Sequence, residues 1–71
     1  LQDFVLEIEP VSNQVVVKTT TAAAQVIAES IDNLYIEGIV ASIAGDNVVL
    51  IITPNEKQAK DVANTIEKNI K

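Results

Sequence analysis

Glu37-Gly38-Ile39-Val40-Ala41-Ser42-Ile43-Ala44-Gly45-Asp46-Asn47-Val48-Val49-Leu50-Ile51-Ile52-Thr53 reads as two strands joined by a tight turn, and the other segments take their places around that pair. Gly45 can supply the positive φ required at the first central position of a type II′ hairpin. Ile39, Ala41 and Ile43 then share one side, and Val40, Ser42 and Ala44 the other. In the second strand Val48, Leu50 and Ile52 oppose Val49, Ile51 and Thr53. Neither face is polar enough to be left in water, and the one formal charge between the strands, Asp46, sits at the tip. The pattern predicts a buried sheet shared between subunits, with a carboxylate at its edge.

Upstream, residues 3–9 alternate as a half-exposed strand, with Phe4, Leu6 and Ile8 on one face and Val5, Glu7 and Glu9 on the other. Pro10 ends that strand and Ser12-Asn13 turn the chain. Residues 14–19 return as a second strand with Val15, Val17 and Thr19 inward and Val16 and Lys18 outward. Thr19-Thr20-Thr21 offers a hydroxyl N-cap for a helix that runs to about Tyr35. Its apolar stripe is Ala24, Ile27, Ala28, Ile31 and Leu34, and Gln25, Glu29 and Asp32 form a polar line.

Beyond Thr53, Asn55 caps a final helix whose stripe is Ala59, Val62, Ala63, Ile66 and Ile70. Glu56 suits its positive end, and Lys68 and Lys71 its negative end. The order ββαββα predicts an α+β fold, a two-layer α/β sandwich in which two helices cover one face of a four-stranded antiparallel sheet. The other face keeps aliphatic side chains on the 39–53 hairpin, and a patch of that kind marks an interface. The oligomer contact is therefore expected at Ile39, Ala41, Ile43, Val49 and Ile51. Residues 1–18 keep outward polar groups and need no such cover.

Seventy-one residues make a single domain over 1–71, at a size where a solitary core is marginal and partners often contribute. Cysteine and histidine are both absent, which removes disulfides, thiolate and imidazole metal sites and most nucleophile–base pairs. Ten Asp and Glu face five Lys and no Arg, for a net charge of −5. Up to Thr53 only Lys18 offsets seven carboxylates, and the two aromatics are Phe4 and Tyr35. Phosphate contacts need Lys and Arg, so this segment does not itself bind DNA or RNA. No apolar run reaches the roughly 18 residues of a membrane-spanning helix, and Leu1-Gln2-Asp3 is not the start of a signal peptide. A start at Leu1, without Met, is expected of a fragment of something larger.

No residue constellation looks catalytic. Ser12, Ser30 and Ser42 have no histidine to activate them, and Gly38 and Gly45 are too few for a phosphate loop. What remains are Gln25, Asp32, Asp46 and Asn47. Gln25 and Asp32 lie seven residues apart, close to two helical turns, and so stand one above the other. The plain reading of that line is a solvated helix face. Asp46 reads equally as an exposed turn former or as an interfacial carboxylate that wants a cation.

The segment Ala22-Ala23-Ala24-Gln25-Val26-Ile27-Ala28-Glu29-Ser30-Ile31-Asp32-Asn33-Leu34, followed by Glu37-Gly38-Ile39-Val40 and Ser42-Ile43-Ala44-Gly45-Asp46, resembles the C-terminal domain of the bacterial arginine repressor family. The resemblance extends over essentially the whole chain. It implies homotrimers that stack into hexamers, with L-arginine bound between trimers as corepressor and no other cofactor. It implies a cytoplasmic regulator of arginine metabolism. Operator DNA would be bound by a separate N-terminal winged helix-turn-helix domain preceding Leu1, absent from this chain. The implied arginine site uses Gln25 and Asp32 around the amino-acid end of the ligand. Asp46 is the first of the family's aspartate pair for the guanidinium, and Ala44 is placed beside it.

The second position of that pair is Asn47. An amide offers one oxygen and no charge where a carboxylate takes a guanidinium in bidentate fashion, a difference of about 1–3 kcal/mol in cation binding. Ala41-Ser42 also stands where the family usually has Gly-Thr. Two functions are therefore expected in competition. One is an arginine-responsive oligomerisation domain of a repressor. The other is a constitutive assembly module of a paralogous regulator that does not sense arginine strongly.

Overall fold

A computed structural model describes residues 2–70. A short 3-10 turn at Gln2–Phe4 leads into β1 (Val5–Val11) and β2 (Gln14–Thr19). The helix α1 (Ala24–Asp32) follows, then β3 (Ala41–Ala44), β4 (Val48–Ile52) and α2 (Glu56–Asn69). The four strands form one antiparallel sheet in the order β1-β2-β4-β3. Both helices lie on one face, α1 against β2, β4 and β3 and α2 against β1 and β2. This is the two-layer α+β sandwich expected from the residue pattern.

Directly paired residues share a face of a sheet, so the register sorts the side chains into rows. Ser42, Ile51, Val15 and Pro10 form one inner row; Ala44, Val49, Val17 and Ile8 form the next. The outer rows are Ala41-Ile52-Gln14-Val11 and Ile43-Leu50-Val16-Glu9, with Val48-Lys18-Glu7 nearest the β3–β4 turn. The inner rows meet Ala24, Ile27 and Ile31 of α1 and Ala59, Val62, Ala63 and Ile66 of α2 in one core cluster.

Three expected interface residues therefore change place. Val49 and Ile51 are 0% exposed and belong to the core, because pairing of Ala44 with Val49 and of Val17 with Val49 turns them toward the helices. Ile39 also packs against the core, since β3 begins only at Ala41 and the expected alternation does not reach back to it. Ala41 and Ile43 do lie outward, Ile43 with 68% of its surface exposed. Their neighbours on that face are Val48, Leu50 and Ile52, each half-buried.

Other departures have local causes. The register shifts between Val5 and Glu7, which places Val5 and Ile8 on the inner side and leaves Leu6 60% exposed. Strand β1 passes through Pro10, which an edge strand tolerates because its outer side makes no ladder bonds. Thr19 is a buried residue of β2 and caps no helix; α1 starts after Ala23 with no side-chain cap and ends at Asp32, three residues short of Tyr35. Leu34 is correspondingly exposed.

The second helix follows its pattern. Asn55 Oδ1 accepts the Gln58 amide at 2.9 Å, and Glu56 and Lys68 sit in the first and last turns. Lys71 lies outside the described residues. At the β1–β2 turn, Thr53 is buried and locks to Asn13. Its amide and hydroxyl donate to the Asn13 carbonyl at 2.9 and 2.7 Å, while Asn13 Nδ2 donates to the Thr53 carbonyl at 3.0 Å.

Candidate functional site at the β3–β4 tip

The β3–β4 turn differs in detail from the expected one. Gly45 donates its amide to the Val48 carbonyl at 2.8 Å, so the two residues at the tip are Asp46 and Asn47. None of Gly45, Asp46 and Asn47 has a positive φ, which excludes a type II′ turn centred on Gly45. Asp46 and Asn47 are exposed. The glycine that needs its conformational freedom is Gly38, at φ +103. There the segment after α1 closes on α2, with Val62 Cγ2 3.4 Å from where a Cβ would stand.

The tip is tied to the segment between β2 and α1. Thr19 donates its amide to the Asn47 carbonyl at 2.8 Å, and Ala24 its amide to the Asp46 carbonyl at 3.2 Å. Ala22 donates its amide to Asp46 Oδ2 at 3.2 Å. Gln25, in the first turn of α1, donates Nε2 to the Ala44 carbonyl at 3.3 Å. Between them the chain makes a turn in which the Ala23 amide reaches the Thr20 carbonyl at 3.1 Å and Ala22 takes φ 66. A positive φ at the third turn position is the type II pattern, where glycine is the usual occupant.

Four of the sequence-predicted residues, Gln25, Ala44, Asp46 and Asn47, are thus brought to one corner of the molecule. Asp32 stands at the other end of α1, two turns or about 10 Å along the axis from Gln25, and among the described residues no ion pair joins it to the tip. Asn47 contributes its carbonyl to the corner through Thr19. The sequence reading missed Ala22, whose left-handed turn carries no glycine to announce it.

The corner is electrostatically one-sided. Among the described residues the ion pairs are Lys18–Glu7 at 3.5 Å and Lys57–Asp61 at 3.1 Å, and neither involves Asp46 or Asp32. With Nε2 engaged by Ala44, Gln25 keeps its amide oxygen as an acceptor, and Asp46 keeps Oδ1. Exposed acceptors that make no ion pair can take a donor-rich positive group. Among the described residues no group of acidic, histidine or cysteine side chains could hold a metal ion, and no helix is long and apolar enough to cross a membrane. A concavity of about 450 Å³ lies elsewhere, between the 34–37 segment and Gln58, Asp61, Thr65 and Asn69 of α2, and none of the predicted site residues lines it.

Comparison with known proteins agrees with the resemblance seen in the residues. The family described as arginine repressor, C-terminal domain, matches residues 1–68. The arginine repressor of Clostridium novyi is 42% identical over 64 residues, covering 90% of this chain and 42% of that protein. That of Clostridium acetobutylicum is 42% identical over 66 residues, covering 93% and 44%. The arginine repressor of Acidobacterium capsulatum is 39% identical over 70 residues, covering 99% and 47%. The chain thus spans less than half the length of the curated relatives it matches. The relatives are named as repressors, which are regulators and not enzymes, in line with the missing catalytic residues. The chain belongs to the arginine repressor C-terminal domain family.

Proposed function

We propose that this domain assembles copies of a transcriptional repressor of arginine metabolism and senses L-arginine while doing so. The observation that carries the reading is the gathering of Gln25, Ala44 and Asp46 at one corner, where Asp46 makes no ion pair among the described residues. A guanidinium supplies the positive, planar donor set that an exposed carboxylate lacks here. Asp32 is separated from Asp46 within one chain, so the site is completed between copies, with arginine held between two trimers and favouring the hexamer. Assembly itself uses the outer face of β3 and β4. Each aliphatic side chain buried there contributes about 1.5–3 kcal/mol before the losses of association. Operator DNA is contacted by a further domain of the full-length protein, which acts in the cytoplasm.

A second reading rests on the Ala22–Asp46 bond. Asp46 already has a structural partner, so it can be a turn former in a module that assembles without arginine. Calorimetric titration with L-arginine, run beside sedimentation, separates the two. The sensing reading expects heat and a shift to larger species. It also expects Asp46→Asn, which keeps an acceptor for Ala22 but loses the charge, to bind arginine about ten- to a hundredfold more weakly. No heat and unchanged sedimentation at millimolar arginine would leave constitutive assembly as the function.

A further inference from the structure

We propose that Ala22 is a positioning residue of the ligand site: its amide holds the Asp46 carboxylate, so that Asp46 and Gln25 meet a ligand as one rigid unit. The inference rests on the arginine reading above and adds to it a residue that has no side-chain chemistry of its own.

Four hydrogen bonds join the 19–25 segment to the β3–β4 tip, and they are not equivalent. Thr19 to Asn47 and Ala24 to Asp46 run from main chain to main chain and place the tip whatever side chains it carries. Gln25 to Ala44 orients a side chain of α1. Ala22 to Oδ2 alone acts on the Asp46 side chain, and it fixes the orientation of the carboxylate. Orientation matters because a guanidinium docks on a carboxylate along two parallel bonds, and an acceptor fixed beforehand loses less freedom when the ligand arrives.

The backbone of Ala22 supports the same reading. A φ of 66 is a conformation that L-residues, apart from asparagine and aspartate, rarely adopt. Such strain persists where the surroundings over-determine it, and it gathers at functional sites. Here the turn bond from Ala23 to Thr20 and the bond to Asp46 hold Ala22 from both sides. The result is a corner whose acceptors are pre-aligned: Oδ1 of Asp46 and the amide oxygen of Gln25, both on exposed residues. Such a pair fits a ligand carrying several N–H donors and a positive charge.

The test removes one donor without changing a side chain; the accompanying weakening of the preceding carbonyl is matched in the control. A 71-residue chain can be assembled chemically, with L-lactate in place of Ala22 so that an ester oxygen replaces the amide. The control carries the same replacement at Ala23, whose amide holds the same turn through Thr20 but does not touch Asp46. Both esters are expected to lower the thermal midpoint by similar amounts. The Ala22 ester is expected to weaken L-arginine binding about five- to tenfold, the Ala23 ester less than about twofold. Equal affinity of the Ala22 ester and the all-amide chain would overturn the inference and leave arginine sensing intact. An Ala23 ester that loses as much as the Ala22 ester would show a merely structural turn. An all-amide chain that takes up no arginine would sink the sensing reading and this inference with it.

Discussion

The two hairpins of the sheet turn opposite chemistry toward the side away from the helices. On β1 and β2 the outer positions include Glu7, Glu9, Gln14 and Lys18, with Glu7 and Lys18 paired across the strands. On β3 and β4 they are Ala41, Ile43, Val48, Leu50 and Ile52. On the first half these charged and polar groups are interspersed with Val11 and Val16, whereas the paired outer positions of the second half are all aliphatic. The inner sides of both hairpins, by contrast, are alike and aliphatic, and both are covered by helix. The difference therefore lies outside the needs of the fold. An antiparallel sheet with one packed face ordinarily carries polar residues on the other, so an aliphatic outer half points to a partner surface.

The sharpest way to break this comparison lies within β4, where Ile51 and Leu50 are neighbours on opposite faces. Ile51→Ala removes a fully buried side chain that stands between Val15 and Ser42 in a row facing the helices. A loss of about 2–5 kcal/mol in folding stability is expected, read from urea unfolding. At this size such a loss is a large share of the whole, and the variant should show a much lower midpoint at every protein concentration. If Ile51→Ala instead changed only the association state, the assignment of Ile51 to the core would be wrong.

Next in size is Ile43→Lys on the outer face. Ile43 is mostly exposed in the single chain, so the monomer loses little. In the assembly the same change removes an aliphatic contact worth about 1.5–3 kcal/mol and brings a charge toward Leu50. Self-association, followed by sedimentation velocity, should weaken by more than about tenfold while the far-ultraviolet circular dichroism stays unchanged. Unaltered association would remove the outer half of β3 and β4 from the interface.

How much of this was legible beforehand depended on whether one period was in force. The second strand and the last helix each carry a single clean pattern, so Val15, Val17 and Thr19 inward and Ala59 to Ile66 inward followed from spacing alone, as did the Asn55 cap. On β4 both parities are aliphatic. Spacing there says that Val49 and Ile51 go together and Leu50 and Ile52 go together, but not which pair meets the helices. Only the pairing with Val15 and Val17 decides it. The break at Leu6 hid in a strand that alternates well on paper. The candidate site was legible only through the family resemblance, because spacing alone left Gln25 and Asp32 as a solvated helix line and Asp46 as either a turn former or an interfacial carboxylate. Its assembly was not, since the bond from Ala22 joins residues 24 apart through an alanine in a conformation its side chain does not favour.

The smallest effect belongs to the charged half, and it is the control for the others. Lys18 approaches Glu7 at 3.5 Å with side chains 57% and 50% exposed, so solvent screens most of their attraction. Lys18→Ala should change folding stability by no more than about 0.5 kcal/mol. It lies beside Val48 on the outer surface and is thus adjacent to the aliphatic half. Were the whole outer face an interface, removing this charge from its centre would alter association as strongly as Ile43→Lys. If the interface stops at β4, sedimentation of Lys18→Ala should match that of the unaltered chain across the same concentration range. Raising the salt should leave both profiles superposed, because the pair contributes too little to be missed.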